Sequence, residues 1–363
     1  MYIREIELEN FRNYEKLKLN FHKKVNIFMG KNAQGKTNLL EGIYISSFGR
    51  SFRFGKDNQI IRFGEKFCRS KVTAERDGED VSVEIVIGER EKGVKLNGLK
   101  IKKTSELLEN IFIVIFSPED LKIVKGDPEK RRRFMDREIS QIRPSYFMDI
   151  SSYRRVLMQR NSLLKEKQSN KSDFDIWNIK LAEYGAKIII KRKDFIEKIN
   201  KISSEIHSNI TNKKESLEIL YDSFVKGDIN TEKDIRENFI SRLENTLKKD
   251  IIRGNTEVGT HKDDLKIHIN GIDIKKYGSQ GQQRTAALSL KLAELKLIKE
   301  ETGEEAVLLL DDVLSELDSE RQNYLINSLK DNQLFITTTE ISENVKEKLP
   351  DGYNFNIQNG KII

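Results

Sequence analysis

The 363-residue sequence has few of the features that mark secreted, zinc-binding or membrane-spanning proteins. Cys68 is its single cysteine, which excludes an internal disulfide, and no Cys/His cluster has the spacing of a zinc site. The longest apolar run covers residues 111–116, whereas a membrane-spanning helix needs about 20 residues. The N-terminal residues lack the apolar segment of a secretory signal. These absences predict a cytoplasmic protein.

Positive charge is in only modest excess. The 65 Lys and Arg residues against 58 Asp and Glu residues give a net charge of +7. Such a balance permits nucleic-acid binding without requiring it, so the placement of the cations matters more than their sum. The length predicts one large domain and one smaller domain.

Two kinds of periodicity divide the chain. Residues before 118 and after 255 contain short alternating or β-branched runs, with Asn-Gly turn signals at 97–98, 270–271 and 359–360. Between them, apolar residues recur every three or four positions, most clearly over residues 177–206, as in a coiled-coil-like helix. A polar loop at 168–172 then suggests an antiparallel helical hairpin. We predict an α/β domain with a mixed sheet, residues 1–117 plus 256–363, interrupted by an all-helical second domain, residues 118–255.

A loop of the pattern G-x-x-x-x-G-K-[ST] joins a predicted strand at 25–29 to a predicted helix at 38–46. Backbone N–H groups of such a loop surround an anion at the positive end of a helix. In this pattern Lys36 reaches the β- and γ-phosphates of a nucleotide, and the Thr37 hydroxyl ligates Mg²⁺. The sequence therefore predicts an ATP site formed by Gly30, Lys31, Asn32, Ala33, Gln34, Gly35, Lys36, Thr37 and Asn38.

Two carboxylates end a later apolar strand. Residues 307–310 are all aliphatic, and Asp311 and Asp312 follow directly. Beside a phosphate-binding loop, this pattern is typical of a Walker B strand. We predict that Asp311 holds Mg²⁺ together with Thr37 and that Asp312 polarises the attacking water. The alternative is an ordinary strand that ends in a helix-capping aspartate.

The sequence Ser-Gln-Gly-Gln-Gln opens a predicted helix over residues 285–300. It resembles the signature motif of ABC-type ATPases, and residues 315–318 resemble their D-loop. In that class, the signature helix of one subunit binds the γ-phosphate held by the P-loop of the other, as expected for a helix N-terminus. The resemblance implies that Ser279, Gly281, Gln282 and Gln283 act in trans. The alternative is a polar helix cap followed by a glycine turn.

Within that class, the chain resembles the RecF family of bacterial recombination mediators over essentially its whole length. The resemblance rests on seven blocks besides the paired aspartates: 8–14, 32–38, 48–53, 116–121, 131–136, 259–265 and 279–284. It implies an ABC-type P-loop ATPase head, similar to SMC heads, with a short helical arm. It also implies ATP and Mg²⁺ binding, an ATP-dependent homodimer, and slow, DNA-stimulated ATP hydrolysis. The DNA is expected to be duplex near single-strand gaps, with single-stranded DNA as an alternative.

The same resemblance implies a role in DNA replication, recombinational repair and the SOS response. RecR is the expected partner, and RecO and RecA act with it when RecA is loaded. Arg12 lies in a segment that approaches the nucleotide phosphates in related heads. Many ABC-type ATPases have glutamate where this chain has Asp312, so the shorter side chain predicts slow hydrolysis. Thr339 stands near the position of their switch histidine and is our candidate for that role, whereas no glutamine clearly fills a Q-loop.

Basic clusters are the candidates for DNA contact. They comprise Arg50, Arg53 and Lys56 after the P-loop helix, and Arg131 and Arg132 in the first turn of a later helix. Cations at a helix N-terminus are unfavourable unless an anion lies nearby. DNA phosphate would serve, and so would carboxylates of the protein itself. His261, with two aspartates close behind it, suggests a metal site less strongly than a structural polar cluster.

Two other classes of protein remain open from the residues alone. A P-loop kinase or another monomeric NTPase would share the phosphate-binding loop but would have no use for a signature motif. The nucleotide-binding subunit of a transporter would share both motifs but would usually lack a helical arm and would carry a switch histidine.

Overall fold

The computed structural model describes residues 1–53, 55–166, 171–226 and 231–363. Strands occupy both ends of the described chain and a short stretch of its middle. In chain order they are β1 Tyr2–Phe11, β2 Tyr14–Asn20, β3 Val25–Met29, β4 Phe67–Arg76, β5 Glu79–Gly88, β6 Lys92–Leu96, β7 Leu99–Lys100, β8 Ile113–Phe116, β9 Leu217–Asp222, β10 Asp264–Ile269, β11 Ile272–Asp273, β12 Val307–Asp311, β13 Leu334–Thr338, β14 Gly352–Gln358 and β15 Lys361–Ile362.

Helices dominate the middle of the chain. They are α1 Lys36–Phe48, α2 Leu121–Lys125, α3 Pro128–Ile142, α4 Pro144–Leu164, α5 Asp175–Ile210, α6 Glu232–Arg253, α7 Ile274–Tyr277, α8 Gln280–Thr302, α9 Ser319–Ser328 and α10 Glu343–Lys346. Helix α3 begins with Asp127 as the N-cap and Pro128 at the first helical position, where proline is favoured. No helix in the described part of the chain is long and apolar enough to cross a membrane.

The chain divides into two compact units. The first comprises Met1–Asp120 and Lys291–Ile363, and the second comprises Leu121–Leu290. By contact, residues 256–290 therefore cluster with the second unit, whereas the sequence placed them with the first domain. The assignment of domains with bounds at 118 and 255 stays a prediction.

The first unit contains two six-stranded sheets. One is antiparallel, in the order β2-β1-β4-β5-β6-β7, and the other is mixed, in the order β15-β14-β3-β13-β12-β8. In the mixed sheet, β14, β3, β13, β12 and β8 run parallel, and β15 is antiparallel at the edge. Strands β8, β12 and β13 are buried at every residue, which agrees with their continuous apolar sequences. Because β3, β12 and β13 are neighbours in parallel, the segments that follow them meet at one edge of the sheet.

The second unit packs α4, α5 and α6 together and adds a three-stranded sheet in the order β11-β10-β9. Helix α5 buries Leu181, Ile188 and Phe195 at the predicted spacing. The loop predicted between α4 and α5, at 168–172, lies mostly outside the described residues. Strand β9 corrects the expectation of an all-helical insertion. Leu217 and Ile219 are buried on one face of β9, which pairs antiparallel with β10.

Tight turns occur at the three Asn-Gly pairs. Asn97, Asn270 and Asn359 have φ values of 49°, 52° and 51°, and the glycine after each also has a positive φ. Two consecutive residues with positive φ form the type I′ turn that matches the twist of a two-stranded hairpin. The turns join β6 to β7, β10 to β11 and β14 to β15, so the three hairpin predictions are confirmed.

Candidate nucleotide-binding site and signature helix

The phosphate-binding loop lies between β3 and α1, at the edge of the mixed sheet where parallel strands end. Gly30 has a φ of 153°, and a Cβ there would lie 2.4 Å from the backbone oxygen of Ile357. Gly35 has a φ of 114°, and a Cβ there would lie 2.5 Å from Asn13 Nδ2. Both positions therefore require glycine for conformation and for space. A glycine-rich loop before the first turn of a helix is a typical anion-binding arrangement, and the predicted nucleotide contacts of this loop stay a prediction.

Lys36 and Thr37 begin α1 and point towards the ends of the neighbouring strands. Lys36 Nζ donates to the backbone oxygens of Gly30 and Lys31, so the side chain folds over the loop. Burial lowers the pKa of Lys36, and the charges of Asp312 and Asp311 oppose that shift. Nearby carboxylates therefore help to keep the ammonium group charged in a partly buried position.

Asp311 is the last residue of β12 and is buried. Its Oδ1 accepts a hydrogen bond from Thr37 Oγ1 at 2.7 Å and one from Thr337 Oγ1 at 2.9 Å. Burial raises the pKa of Asp311, and the two threonine hydroxyls act in the opposite direction. The structure thus brings together the two residues predicted to bind Mg²⁺, and hard oxygen ligands of this kind suit that ion.

Asp312 differs from Asp311 in its backbone. Its φ of 55° places it in the left-handed region, which turns the chain sharply after the strand. Its N–H donates to Thr337 Oγ1 at 3.0 Å and to the Thr337 backbone oxygen at 3.2 Å. Ser315 Oγ donates to the Asp312 backbone oxygen at 2.7 Å. These contacts hold the backbone of Asp312 on both sides, and Ser315 Oγ also lies 3.2 Å from its Oδ1.

Thr337 was missed in the sequence. It contacts both aspartates, whereas Thr339, the predicted switch residue, is exposed beyond the end of β13. The parallel register pairs Asp311 with Thr337, so aligning the apolar runs of β12 and β13 would have found it. The role of Thr339 stays a prediction.

A hydrogen-bonded network borders the phosphate-binding loop. At its centre is Glu41 of α1, which is fully buried and accepts two hydrogen bonds from Arg12, at 2.7 and 2.9 Å. Arg53 lies 3.5 Å from the same carboxylate and donates to Asn38 Oδ1 at 2.9 Å. Asn13 receives a hydrogen bond from Asn38 and donates to the backbone of the loop. The predicted contacts Arg12 and Asn38 therefore lie beside the loop, and two arginines sharing one carboxylate leave a local positive charge.

The signature segment begins α8 in the second unit. Ser279 Oγ accepts a hydrogen bond from Gln282 N at 3.2 Å, and Gln282 Oε1 accepts one from Ser279 N at 3.0 Å. This reciprocal pair is a capping box, in which the hydroxyl keeps its own proton for another acceptor. Ser279 is exposed, whereas Gln283 is buried and donates to the backbone oxygen of Ile274. Gly281 is half-buried in the first turn. Ser279 is thus the signature side chain best placed for an external anion.

Gln282 also reaches a residue that the sequence did not suggest. Its Nε2 donates to Glu215 Oε1 at 2.9 Å, across 67 positions of sequence. Both ends of the Gln282 amide are therefore hydrogen-bonded inside the second unit.

The basic candidates differ sharply in their surroundings. Arg50 and Lys56 are exposed, and Arg53 belongs to the network around Glu41. Arg131 is buried and forms a bidentate pair with Asp264 at 2.6 and 2.8 Å, so its assignment to a DNA surface was wrong. Arg132 is half-buried and donates to the backbone oxygen of Asp263 at 2.8 Å. The anions that offset these helix N-terminal cations are carboxylates of the protein.

His261 belongs to a structural polar cluster. Its Nδ1 lies 2.8 Å from Tyr153 OH, and its Nε2 lies 2.9 Å from the Thr256 backbone oxygen. Burial lowers the pKa of His261 to about 4, so the ring is neutral at physiological pH. Within the described ranges, no group of three or more His, Cys, Asp and Glu residues could hold a metal ion.

Comparison with known proteins places the whole chain. The family model for the RecF/RecN/SMC N terminal domain matches residues 2–353. The DNA replication and repair protein RecF of Alkaliphilus oremlandii is 47% identical over 365 residues, which is 100% of both chains. The chain belongs to the RecF family of SMC-like ATPases. The RecF protein of Clostridioides difficile is 44% identical and matches 100% of this chain and 98% of its own length.

Solved structures of RecF proteins have the same fold. The structure of the recombination mediator protein RecF with ATP, from the RecFOR pathway, gives a TM-score of 0.93 at 42% identity over 100% of this chain and 97% of that one. The corresponding structure with ATPrS gives 0.92 at 43% identity over 99% and 97%. The predicted fold class, an ABC-type ATPase head with a helical insertion, is confirmed. Membership of the RecF family also argues against a kinase or a transporter subunit.

Proposed function

We propose that this chain binds and slowly hydrolyses ATP, and that ATP joins two copies into a dimer that holds DNA during recombinational repair. The observation that supports this proposal is that each copy has two segments suited to bind anions. One is the loop with Lys36 and Thr37 in the first unit, and the other is the exposed Ser279 hydroxyl at the N-terminus of α8. A phosphate held by one copy can then be contacted by the signature helix of another.

The nucleotide site has the groups that this chemistry needs. Thr37 Oγ1 and Asp311 Oδ1 would hold Mg²⁺, which supplies positive charge against the β- and γ-phosphates. Lys36 would exchange its two backbone acceptors for phosphate oxygens, and Arg12 lies close enough to the loop to add positive charge. Asp312 would orient the attacking water, and its short side chain is the basis for proposing slow turnover.

The DNA and partner proposals rest on the relatives. Their names describe DNA replication and repair and the RecFOR pathway. We extend these to binding of gapped duplex DNA by this chain, stimulation of its ATPase by that DNA, and cooperation with RecR and RecO in loading RecA in the cytoplasm. Arg50 and Lys56 are exposed cations on either side of Arg53 in the sequence, so they are the first candidates for the DNA surface. The half-buried Arg53 joins that segment to α1.

Sedimentation with and without Mg-ATP tests the dimer. We expect the wild-type chain to dimerise with ATP and Ser279→Arg to bind ATP but stay monomeric, because the larger cation fills the anion site at the start of α8. Ser342→Arg is the matched control, since Ser342 is also an exposed N-cap residue, at the start of α10. A dimer population that responds neither to ATP nor to Ser279→Arg would refute the proposal.

A further inference from the structure

The chain reverses direction at the end of α5. After Ile210, the N–H of Thr211 donates to the backbone oxygen of His207, and the N–H of Lys213 donates to that of Ser208 at 2.7 Å. Asn212 and Lys213 both have left-handed φ values, 50° and 61°. Two such residues in succession turn the backbone sharply, and Glu215 consequently faces back towards the last turn of α5.

Each carboxylate oxygen of Glu215 has its own partner. Oε1 accepts from Gln282 Nε2 at 2.9 Å, and Oε2 lies 3.1 Å from His207 Nε2. His207 is fully buried, and its Nδ1 lies 3.1 Å from Ser289 Oγ on α8. Ser289 donates its proton to the Thr285 backbone oxygen, so it accepts from His207 Nδ1. Glu215 and Ser289 therefore contact opposite sides of the His207 ring, and the cluster ties the last turn of α5 to α8.

Glu215 also determines how the Gln282 amide is oriented. A side-chain amide has one donor end and one acceptor end, and only the acceptor end can bond to Ser279 N. Because Glu215 is a carboxylate, it can receive only the NH₂ end, which leaves Oε1 directed at Ser279. The orientation of the signature serine thus depends on a residue outside the signature motif.

We infer that Glu215 is a positioning residue for Ser279, and that it links the long helix of the insertion, through His207, to the end of α8 that contacts phosphate. The second part rests on the proposed function, because it takes Ser279 as the residue that senses the nucleotide of another copy. On this basis, a displacement of the last turn of α5 changes how tightly two copies close over ATP without changing how one copy binds it.

Amide hydrogen exchange of the nucleotide-free chain tests the positioning. In Glu215→Ala, the Gln282 amide is no longer held from the far side, so the reciprocal hydrogen bonds between Ser279 and Gln282 weaken. We expect about tenfold faster exchange of both backbone N–H groups. Glu215→Gln keeps an acceptor for Gln282 and is expected to restore most of the protection. Glu218→Ala on β9 is the control, since Glu218 is exposed and its carboxylate lies 3.8 Å from His268 Nδ1. Unchanged exchange in folded Glu215→Ala overturns the inference, whatever the dimer does.

Sedimentation with Mg-ATP tests the coupling. We expect Glu215→Ala to raise the dimer dissociation constant about tenfold while the ATP affinity of the monomer stays within about twofold. If Ser279→Arg is monomeric but Glu215→Ala dimerises like the wild type, the coupling is wrong and the proposed function stands. If Ser279→Arg dimerises normally while exchange changes as expected, the proposed function fails and the positioning stands. Should Glu215→Ala not fold, Gln282→Leu removes the contact with Glu215 together with the acceptor of Ser279 N, and wild-type exchange at Ser279 would then overturn the inference.

Discussion

Replacing Thr337 by valine separates hydrogen bonding from packing at the candidate metal site. Thr337 is 1% exposed, and valine has nearly the same shape. The change removes the donor to Asp311 Oδ1 at 2.9 Å and the acceptor for Asp312 N at 3.0 Å. Asp312 N keeps the Thr337 backbone oxygen at 3.2 Å, whereas Asp311 keeps Thr37. The main loss is therefore one hydrogen bond to a buried carboxylate.

A hydrogen bond to a charged group contributes about 1.5–3 kcal/mol. We expect Thr337→Val to lower the free energy of unfolding by about 2 kcal/mol, which lowers Tm by roughly 4–8 °C for a unit of this size. The pKa of Asp311 is already raised by burial, and losing one hydroxyl raises it further. A carboxylate whose pKa is higher in the folded state than in the unfolded state lowers the free energy of unfolding when it is ionised. This loss of stability shrinks as the pH falls through the folded-state pKa. The stability difference from the wild type should therefore narrow at acid pH.

Thermal unfolding over a range of pH, together with Mg²⁺ titrations of ATP hydrolysis, measures both effects. Thr337→Val should need more Mg²⁺ for half-maximal activity, because Asp311 is less readily charged. Thr337→Ser keeps the hydroxyl and should recover the Mg²⁺ requirement. A variant with wild-type stability and Mg²⁺ requirement, or a stability difference that widens at acid pH, would refute the reasoning.

Three further changes test single roles. Lys36→Ala should abolish binding of a fluorescent ATP analogue, because it removes the cation over the loop; retained affinity would exclude that role. Asp312→Asn should keep ATP binding, slow turnover at least about tenfold and accumulate dimers, whereas normal turnover would remove Asp312 from catalysis. Arg50→Glu should weaken binding to gapped duplex DNA and lower the salt dependence by about one counterion per lost phosphate contact. Lys23→Glu, also at an exposed cation of the first unit, is its control, and an unchanged salt slope for Arg50→Glu would argue against a DNA surface there.

The sequence predicted those helices and strands whose own residues show a clear apolar pattern. The strand predicted at 25–29 is β3, Val25–Met29, and the apolar stripe over 177–206 lies within α5, Asp175–Ile210. Strand β9 was missed because it is six residues long, lies between helices and pairs with β10 more than forty residues later. The alternation of apolar and polar residues in β9 is present in the sequence, but nothing local indicates that β10 is its pairing partner.

The site residues show the same difference between local motifs, which the sequence predicts, and long-range contacts, which it does not. The phosphate-binding loop and the paired aspartates are contiguous motifs, so spacing was enough to find them. Glu215 acts on Gln282 from a loop 67 residues away, and no local pattern marks such a contact. Arg131 was misassigned because a run of cations does not show which of them faces inwards. It lies three residues before the buried Phe134, on the buried face of α3, and that spacing was the overlooked signal.

The two proposed anion sites differ in how well each could bind ATP without a second copy. This difference sets the order that we expect for ATP binding and dimerisation. Lys36, Thr37 and Asp311 lie in one unit and already contact their neighbours there, so we expect the loop to hold a nucleotide without a second copy. Ser279 offers a single hydroxyl proton and the N–H groups of one helix turn, which is too little to hold ATP by itself. ATP binding to the monomer should therefore come first, and dimerisation should be the weaker, adjustable step. Any residue that orients Ser279, as Glu215 does, then acts on closure rather than on nucleotide affinity.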